Sequence, residues 1–242
     1  MGQDHSRLEG KAGILTESEE YVTNIKSLIS WRNAMKHRAV FLDRDGVINR
    51  LVYHQEAGVL DSPFTLEQFV LLPKVAAAIK TINRMGFKVV VVSNQPGVAK
   101  GHFNLNTLKK TEKKMNKALA KENAFVDGVY YCLHHPKEGR GRLRRVCSCR
   151  KPKPGLLLKA SKEMGIVLKS SYMIGDSIGD IQAGKKAGCK TILIGNHKCD
   201  LCRLLTKNEV KPDYIEDNLY NAVKLIRTKE GEDGVIHRHR QC

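Results

Sequence analysis

The sequence has few aromatic side chains and no long apolar run. Phe, Trp and Tyr make up 6% of its 242 residues, and there is a single Trp. No stretch approaches the roughly 18 consecutive apolar residues of a membrane-spanning helix. The first ten residues, MGQDHSRLEG, lack the basic start and apolar run of a secretory signal. We therefore expect a cytoplasmic protein without a membrane anchor.

Acidic residues are also scarce, with 25 Asp and Glu against 42 Lys and Arg and a net charge of +17. The excess is concentrated in two segments. Residues 137–153 contain eight Lys or Arg and one acidic residue, Glu138, and residues 109–121 contain six Lys and one Glu. Such segments attract anions, which include phosphorylated metabolites, nucleic acid and acidic membranes. Composition does not choose among these three.

The seven cysteines do not indicate a disulfide scaffold, because their number is odd and no secretory signal accompanies them. Three of the seven lie close together in residues 132–149. A cysteine cluster in a chain of this class indicates a metal site.

The pattern along the chain predicts one α/β domain over residues 38–229, flanked by two segments. Residues 1–37 are predicted to form a helical extension that packs on the domain, and the alternative is a docking helix for a partner. Residues 230–242 are predicted to be a flexible basic tail. We expect the chain to be a monomer.

Predicted strands and helices alternate from residue 38 onward, with Gly or Pro at many boundaries. This order predicts a central parallel sheet with helices on both faces, a Rossmann-like three-layer sandwich. The predicted strands are 38–43, 87–94, 126–132, 171–176, 190–195 and 213–217. The predicted helices are 66–86, 104–122, 155–165, 178–188 and 218–229. Within the first of these, Pro73 is expected to start a new helix at its first turn.

Polar side chains lie at or shortly after the carboxyl ends of three of these strands, where parallel sheets bind ligands. They are Asp43 and Asp45, Ser93 and Asn94, and Asp176 and Asp180. Clustered carboxylates raise one another's pKa unless a cation lies between them. Oxygen ligands of this kind suit Mg²⁺. Lys151 precedes the fourth predicted strand and supplies a second positive charge.

The ordered set FLDRDG, VVVVSN, CRKPKPG and YMIGDSIGD resembles the haloacid dehalogenase (HAD) phosphatase superfamily. The resemblance covers roughly residues 38–229 and implies a HAD-like fold. It also implies that Asp43 is a nucleophile that forms an aspartyl-phosphate and that Asp45 is the general acid and base. It implies that Ser93 and Lys151 hold the phosphoryl oxygens.

The same resemblance implies a Mg²⁺ ion held by the Asp43 carboxylate, the Asp45 backbone carbonyl and Asp176. Asp180 is then expected to orient the metal-bound waters or Lys151, without binding the metal itself. Asn94 is expected to bind substrate. This chemistry is physically reasonable, because a carboxylate that attacks a phosphate dianion needs positive charge at the transferring group.

The cysteine cluster has the spacing of a zinc site: Cys132-x-His134, twelve residues, then Cys147-x-Cys149. Three thiolates and one imidazole form a closed tetrahedral site, which is typical of structural zinc. His135 is the alternative to His134. Zinc would stabilise the polar loop 132–149. The segment between the predicted strands 38–43 and 87–94 is too short to form a large cap domain.

The loop spacing and the phrases GVYYCLHHP and VCSCRKPKPG resemble the histidinol-phosphatase-like group of the superfamily. Within that group they are most similar to the heptose 1,7-bisphosphate 7-phosphatases. The implied substrate is D-glycero-D-manno-heptose 1,7-bisphosphate, with Arg150 as a substrate contact through a bidentate bond to a phosphate. One departure is Ser177, which stands where these enzymes often have lysine.

Three alternatives stay open. Two are enzymes, a histidinol-phosphate phosphatase and a polynucleotide 3′-phosphatase, and the second would use the basic surface. The third is a zinc-stabilised nucleic-acid-binding module with idle phosphatase residues, which the low aromatic content disfavours because single strands bind by stacking. A second metal candidate, His197 with Cys199 and Cys202, has no second cysteine pair nearby and is interpreted as a loop with incidental thiols.

Overall fold

The computed structural model describes residues 36–195 and 211–231. The predictions for the extension 1–37, for the tail 230–242 and for the group of His197, Cys199 and Cys202 lie outside the described residues, apart from positions 36, 37, 230 and 231. No helix in the described ranges is long and apolar enough to cross a membrane.

The predicted alternation of strands and helices is confirmed. The strands are β1 (Ala39–Leu42), β2 (Val52–His54), β3 (Val59–Asp61), β4 (Lys88–Asn94), β5 (Gly128–Cys132), β6 (Tyr172–Gly175), β7 (Lys190–Ile194) and β8 (Tyr214–Glu216). The α-helices are α1 (Val75–Arg84), α2 (Gly97–Lys100), α3 (Leu105–Ala120), α4 (Gly155–Met164), α5 (Ile178–Ala187) and α6 (Leu219–Lys229). Short 3₁₀ turns lie at Gln55–Ala57, Gly141–Leu143 and Leu168–Ser170.

The central sheet is buried on both faces, as its continuous apolar strands predict. Successive residues of β1 pack into different cores because strand side chains alternate between the two faces. Val40 and Leu42 pack with α1, α3 and α6, whereas Ala39 and Phe41 pack with α4 and α5. The predicted three-layer α/β sandwich is therefore confirmed.

The strand order of the sheet is β5-β4-β1-β6-β7-β8, and every neighbouring pair is parallel. Strand β1 therefore lies between β4 and β6, with Leu42 opposite both Val91 and Ile174. The chain adds strands first on one side of β1 and then on the other. Such a reversal opens a ligand-binding crevice at the carboxyl ends of the strands.

Two local predictions near β1 were incomplete. Helix α1 begins at Val75, close to the start predicted at Pro73, but the residues from 66 to 72 are not helical. This preceding segment pairs with the loop after β1: the Leu72 N–H donates to the Ile48 carbonyl at 2.9 Å. The antiparallel hairpin of β2 and β3 was not predicted, and its side chains Tyr53 and Leu60 are exposed. The segment between β1 and β4 holds this hairpin and α1, so the prediction of no large cap is confirmed.

Candidate active site

The turn after β1 carries Asp43 and Asp45 into the crevice. The backbone N–H of Asp43 still donates to the Ile174 carbonyl of β6 at 3.1 Å, so the strand pairing extends to the first carboxylate. Gly46 follows with a φ of +83°, a conformation that favours glycine. A Cβ atom on Gly46 would lie 2.0 Å from Asp176 Oδ2. The glycine therefore lets the carboxylate of β6 approach the turn of β1.

Lys151 brings a buried positive charge to these carboxylates. Its Nζ atom lies 3.0 Å from Asp43 Oδ1 and 2.6 Å from Asp180 Oδ1, and it donates to the Val92 carbonyl at 2.8 Å. Burial by itself would lower the pKa of Lys151, but the charges of Asp180 and Asp43 outweigh it and raise that pKa. Lys151 is therefore a permanent cation beside Asp43.

The carboxylates of Asp43, Asp176 and Asp180 come together, each offering one oxygen within 4.8 Å of the others. Burial, partly offset by Lys151, raises the pKa of Asp43 to about 6, and burial with the charges of Asp43 and Asp180 raises the pKa of Asp176 to about 8. Crowded carboxylates of this kind are stabilised in their charged form by a cation. The oxygen-only donor set fits Mg²⁺.

Asp180 contacts the chain through both carboxylate oxygens. Oδ1 pairs with Lys151, and Oδ2 accepts from the Ser177 hydroxyl at 2.6 Å and from the Ser177 N–H at 3.1 Å. The Ser177 oxygen in turn accepts from the Asp180 N–H, which completes a capping box at the start of α5. Ser177 therefore caps the helix that positions Asp180. These contacts support the prediction that Asp180 orients Lys151.

Ser93 and Asn94 lie at the end of β4, beside β1. Ser93 is buried, and its hydroxyl faces the Gln95 amide at 3.1 Å. The Asn94 side chain forms two bonds with the backbone of Lys151, accepting from its N–H and donating to its carbonyl, both at 3.1 Å. Asn94 thus holds the segment that carries Lys151, and its direct contact with substrate stays a prediction.

Two functional candidates were missed in the sequence, Arg44 and Gln95. Both are buried, with exposures of 1% and 0%, and both contact the Asp45 carboxylate. Arg44 lies between two acidic residues in a turn, which is typical of a solvated position. Gln95 precedes a Pro-Gly pair, which is typical of a loop. Neither residue belongs to a periodic apolar pattern that predicts burial. Their place within the matched motifs could have indicated a role.

The predicted cysteine cluster is formed. Cys149 Sγ lies 3.3 Å from the Sγ atoms of both Cys132 and Cys147, and it lies 3.3 Å from His134 Nδ1. The Cys132 and Cys147 sulfurs are 3.6 Å apart. Three sulfurs and one imidazole nitrogen at these separations fit a tetrahedral metal site. Burial and the charge of Arg145 lower the pKa of His134, which favours the neutral form that binds metal.

His135, the alternative ligand, points elsewhere. Its Nδ1 atom accepts from the Glu138 N–H at 2.7 Å, and its Nε2 atom lies 3.5 Å from the Glu138 carboxylate. Arg150 lies in the sequence between Cys149 of the cysteine cluster and Lys151, and its guanidinium donates to the His134 carbonyl at 3.2 Å. Arg150 is partly buried, and its contact with a phosphate stays a prediction.

Comparisons with known proteins agree with this geometry. A family described as HAD-hydrolase-like matches residues 148–222. The chain is 40% identical over 193 residues to D-glycero-beta-D-manno-heptose-1,7-bisphosphate 7-phosphatase of Escherichia coli (strain K12), covering 79% of this chain and 95% of that protein. It is 35% identical over 191 residues to the enzyme of the same name from Pasteurella multocida, covering 78% of this chain and 97% of that protein.

The chain belongs to the HAD-like phosphatases. A crystal structure of D,D-heptose 1,7-bisphosphate phosphatase from B. bronchiseptica, complexed with magnesium and phosphate, matches with a TM-score of 0.65 and 28% identity over 79% of this chain and 99% of that chain. The predicted resemblance is therefore confirmed, and as a HAD-like phosphatase the chain is a phosphoric monoester hydrolase. The alternative of a nucleic-acid-binding module with idle phosphatase residues, which the sequence disfavoured, is not supported.

Proposed function

We propose that the chain removes the 7-phosphate of D-glycero-β-D-manno-heptose 1,7-bisphosphate through an aspartyl-phosphate on Asp43. The observation that carries this proposal is the position of Asp43 at the end of β1, 3.0 Å from the buried cation of Lys151. The choice of sugar rests on the relatives, which carry that substrate in their names and match over 95–97% of their own length.

In the first step an oxygen of Asp43 attacks phosphorus, and the bond to the sugar oxygen breaks. Asp45 gives its proton to the leaving sugar oxygen, which releases an alcohol. The Lys151 ammonium and the Ser93 hydroxyl bind the phosphoryl oxygens and offset the repulsion between the Asp43 carboxylate and the phosphate. The chain uses this covalent route because it divides one difficult displacement into two easier ones.

In the second step a water molecule attacks the phosphorus of the aspartyl-phosphate. Asp45 takes a proton from that water, the bond between phosphorus and the Asp43 oxygen breaks, and inorganic phosphate leaves. Asp45 thereby regains the proton that it lost in the first step. Both steps need Asp45 close to the same side of the phosphoryl group, and its two-residue separation from Asp43 provides this.

Two metal ions are part of this proposal. Mg²⁺ would be held by the Asp43 carboxylate, the Asp45 backbone carbonyl and Asp176, and when bound it would supply positive charge to the transferring phosphoryl group. Zn²⁺ would be held by the four residues of the cysteine cluster: Cys132, His134, Cys147 and Cys149. Its role is structural, because four protein ligands close the coordination shell.

Arg150 is proposed to bind a phosphate of the substrate through the part of its guanidinium that His134 leaves available. A guanidinium suits this role because its planar set of donors matches two phosphate oxygens. We further propose that the protein works in the cytoplasm and is a monomer. Size-exclusion chromatography with light scattering tests the oligomeric state.

The experiment is a phosphate-release screen in the presence of Mg²⁺. The panel contains the heptose 1,7-bisphosphate, histidinol phosphate and 3′-phosphorylated DNA, and ³¹P NMR identifies which phosphate of the bisphosphate is lost. We expect the highest kcat/KM with the heptose, with the 1-phosphate retained. Higher activity with either other substrate would overturn the choice of sugar. Asp43→Asn is the control and should release no phosphate from any substrate.

A second function, removal of 3′-phosphates from nucleic acid, is favoured by one observation. The loop that carries the cysteine cluster exposes four arginines to solvent: Arg140, Arg142, Arg144 and Arg145. Exposed arginines of this density bind a phosphate backbone. The DNA substrate of the screen tests this function. If DNA binds with an affinity that falls steeply with salt but releases no phosphate, the arginines form a basic surface and the chain is not a 3′-phosphatase.

A further inference from the structure

The Asp45 carboxylate is enclosed by a buried polar cluster formed by Arg44, Asn49 and Gln95. Oδ1 accepts from Arg44 Nη2 at 3.1 Å and from Asn49 Nδ2 at 2.9 Å, and Oδ2 accepts from Gln95 Nε2 at 2.6 Å. The three enclosing side chains are at most 1% exposed. Burial of an arginine and a carboxylate is costly unless each is well paired, so the cluster has a demanding geometry.

The contacts dictate which way the Gln95 amide points. Arg44 Nη2 donates to Gln95 Oε1 at 3.0 Å, and a guanidinium carries donors only, so the amide oxygen must face Arg44. The amide nitrogen then faces Asp45 and donates to its Oδ2 atom. Arg44 therefore fixes Gln95 as a donor toward the reaction centre.

The same amide nitrogen also reaches Ser93, whose Oγ atom lies 3.1 Å away. Because Gln95 donates to this oxygen, the hydroxyl hydrogen of Ser93 is left to donate elsewhere, as the phosphoryl contact proposed for Ser93 requires. One amide thus orients the group that transfers protons and the group that binds a phosphoryl oxygen.

We propose that Gln95 is a positioning residue, which holds the Asp45 carboxyl in place for proton transfer and fixes the Ser93 hydroxyl as a donor, with Arg44 setting its orientation. This proposal rests on the aspartyl-phosphate mechanism of the proposed function but not on the identity of the sugar. It assigns Gln95 no contact with substrate. Its effect passes through Asp45 and Ser93.

The test compares two substrates that differ in their need for a general acid. The phenol of phenyl phosphate leaves with difficulty unless it is protonated, whereas nitrophenolate leaves 4-nitrophenyl phosphate without help. The Gln95→Met variant keeps the approximate volume of the side chain and removes its donor. We measure kcat/KM, because it reports the step in which the leaving group departs.

Gln95→Met should lower kcat/KM for phenyl phosphate by about 100-fold, in the range of a lost general acid. The loss for 4-nitrophenyl phosphate should be smaller by about tenfold or more, since only the Ser93 contact matters there. The ratio of the two kcat/KM values is the readout, because the fraction of folded enzyme cancels in it. The ratio therefore stays informative even for a poorly folding variant.

Thr111→Val is the matched control, since it also removes a buried side-chain hydrogen bond, to the Thr107 carbonyl in α3, away from Asp45. It should leave the ratio at the wild-type value. Equal losses on both substrates in Gln95→Met would overturn the proposal and assign Gln95 a merely structural role. If the wild-type enzyme releases no phosphate from the heptose bisphosphate while Gln95→Met shows the expected change in the ratio, the choice of sugar is wrong and the role of Gln95 stands.

Discussion

Lys151→Met removes the positive charge that lies between Asp43 and Asp180 and keeps most of the side-chain volume. With an effective dielectric constant of about 20, each contact of Nζ, at 3.0 Å and 2.6 Å, corresponds to roughly 6 kcal/mol of Coulomb attraction. Desolvation of the charges offsets most of that. Removal of one partner from a buried ion pair costs about 3–5 kcal/mol, and we expect that loss in the free energy of unfolding at neutral pH.

The loss in the free energy of unfolding should depend on pH, and the structure determines whether it grows or shrinks as pH rises. The pKa of Asp43, which burial raises to about 6 even with Lys151 present, rises further once the ammonium is gone. A carboxyl whose folded-state pKa exceeds its unfolded value stabilises the fold at low pH and loses this contribution as pH rises through the folded pKa. The destabilisation by Lys151→Met should therefore be larger at pH 8 than at pH 5.5.

Urea denaturation at both pH values measures this effect, with no Mg²⁺ added so that no second cation replaces the lysine at Asp43. The matched control is Lys153→Met, because Lys153 is exposed and lies two residues further along the chain. Phosphate release with Mg²⁺ should fall by about 10²–10³-fold in Lys151→Met, the range for a lost oxyanion donor. A destabilisation that is the same at both pH values, or activity within a few-fold of the wild type, would refute the electrostatic role.

Two further predictions concern the metal sites. Cys147→Ser should lower the zinc content measured by elemental analysis and lower Tm, because it removes one of four ligands; purified wild-type protein without zinc would contradict this. Mg²⁺ should raise Tm more at pH 8 than at pH 5.5, since the pKa of Asp176, raised to about 8 mainly by burial, leaves that carboxyl protonated at the lower pH. Asp176→Asn should reduce this difference to the part that Asp43 contributes, since the pKa of Asp43 is about 6, and a Mg²⁺ effect that is equal at both pH values would argue against Asp176 as a ligand.

The sheet and the position of the site could be predicted because they depend on periodicity and chain order. The apolar runs of β1, β4 and β6 are buried on both faces, and each is followed directly by a polar residue of the site. Parallel strands then bring those residues to one edge whatever the details of packing. The spacing of Cys132, His134, Cys147 and Cys149 was informative for a similar reason, since metal ligands must converge.

The contacts of Arg44, Gln95 and Asn94 could not be predicted, because each depends on where a second segment arrives. Arg44 between two aspartates is locally a polar turn, and only the approach of β4 buries it against Gln95. Asn94 resembles a substrate ligand at a strand end, whereas the structure pairs both ends of its amide with the Lys151 backbone. The non-helical segment before α1 was missed for the same reason, since the pairing of Leu72 with Ile48 overrides helical propensity.

The cysteine cluster and Lys151 are parts of one connection. Cys132 ends β5 directly opposite Asn94 of β4, and Asn94 holds the backbone of Lys151, which follows Cys149 by two residues. The loop between Cys132 and Cys147 is largely exposed and contributes few side chains to the apolar cores. A metal ion at the cluster would stabilise this loop, as the apolar cores stabilise the rest of the domain. It would fix both ends of the loop to the sheet and so keep the Lys151 ammonium at Asp43.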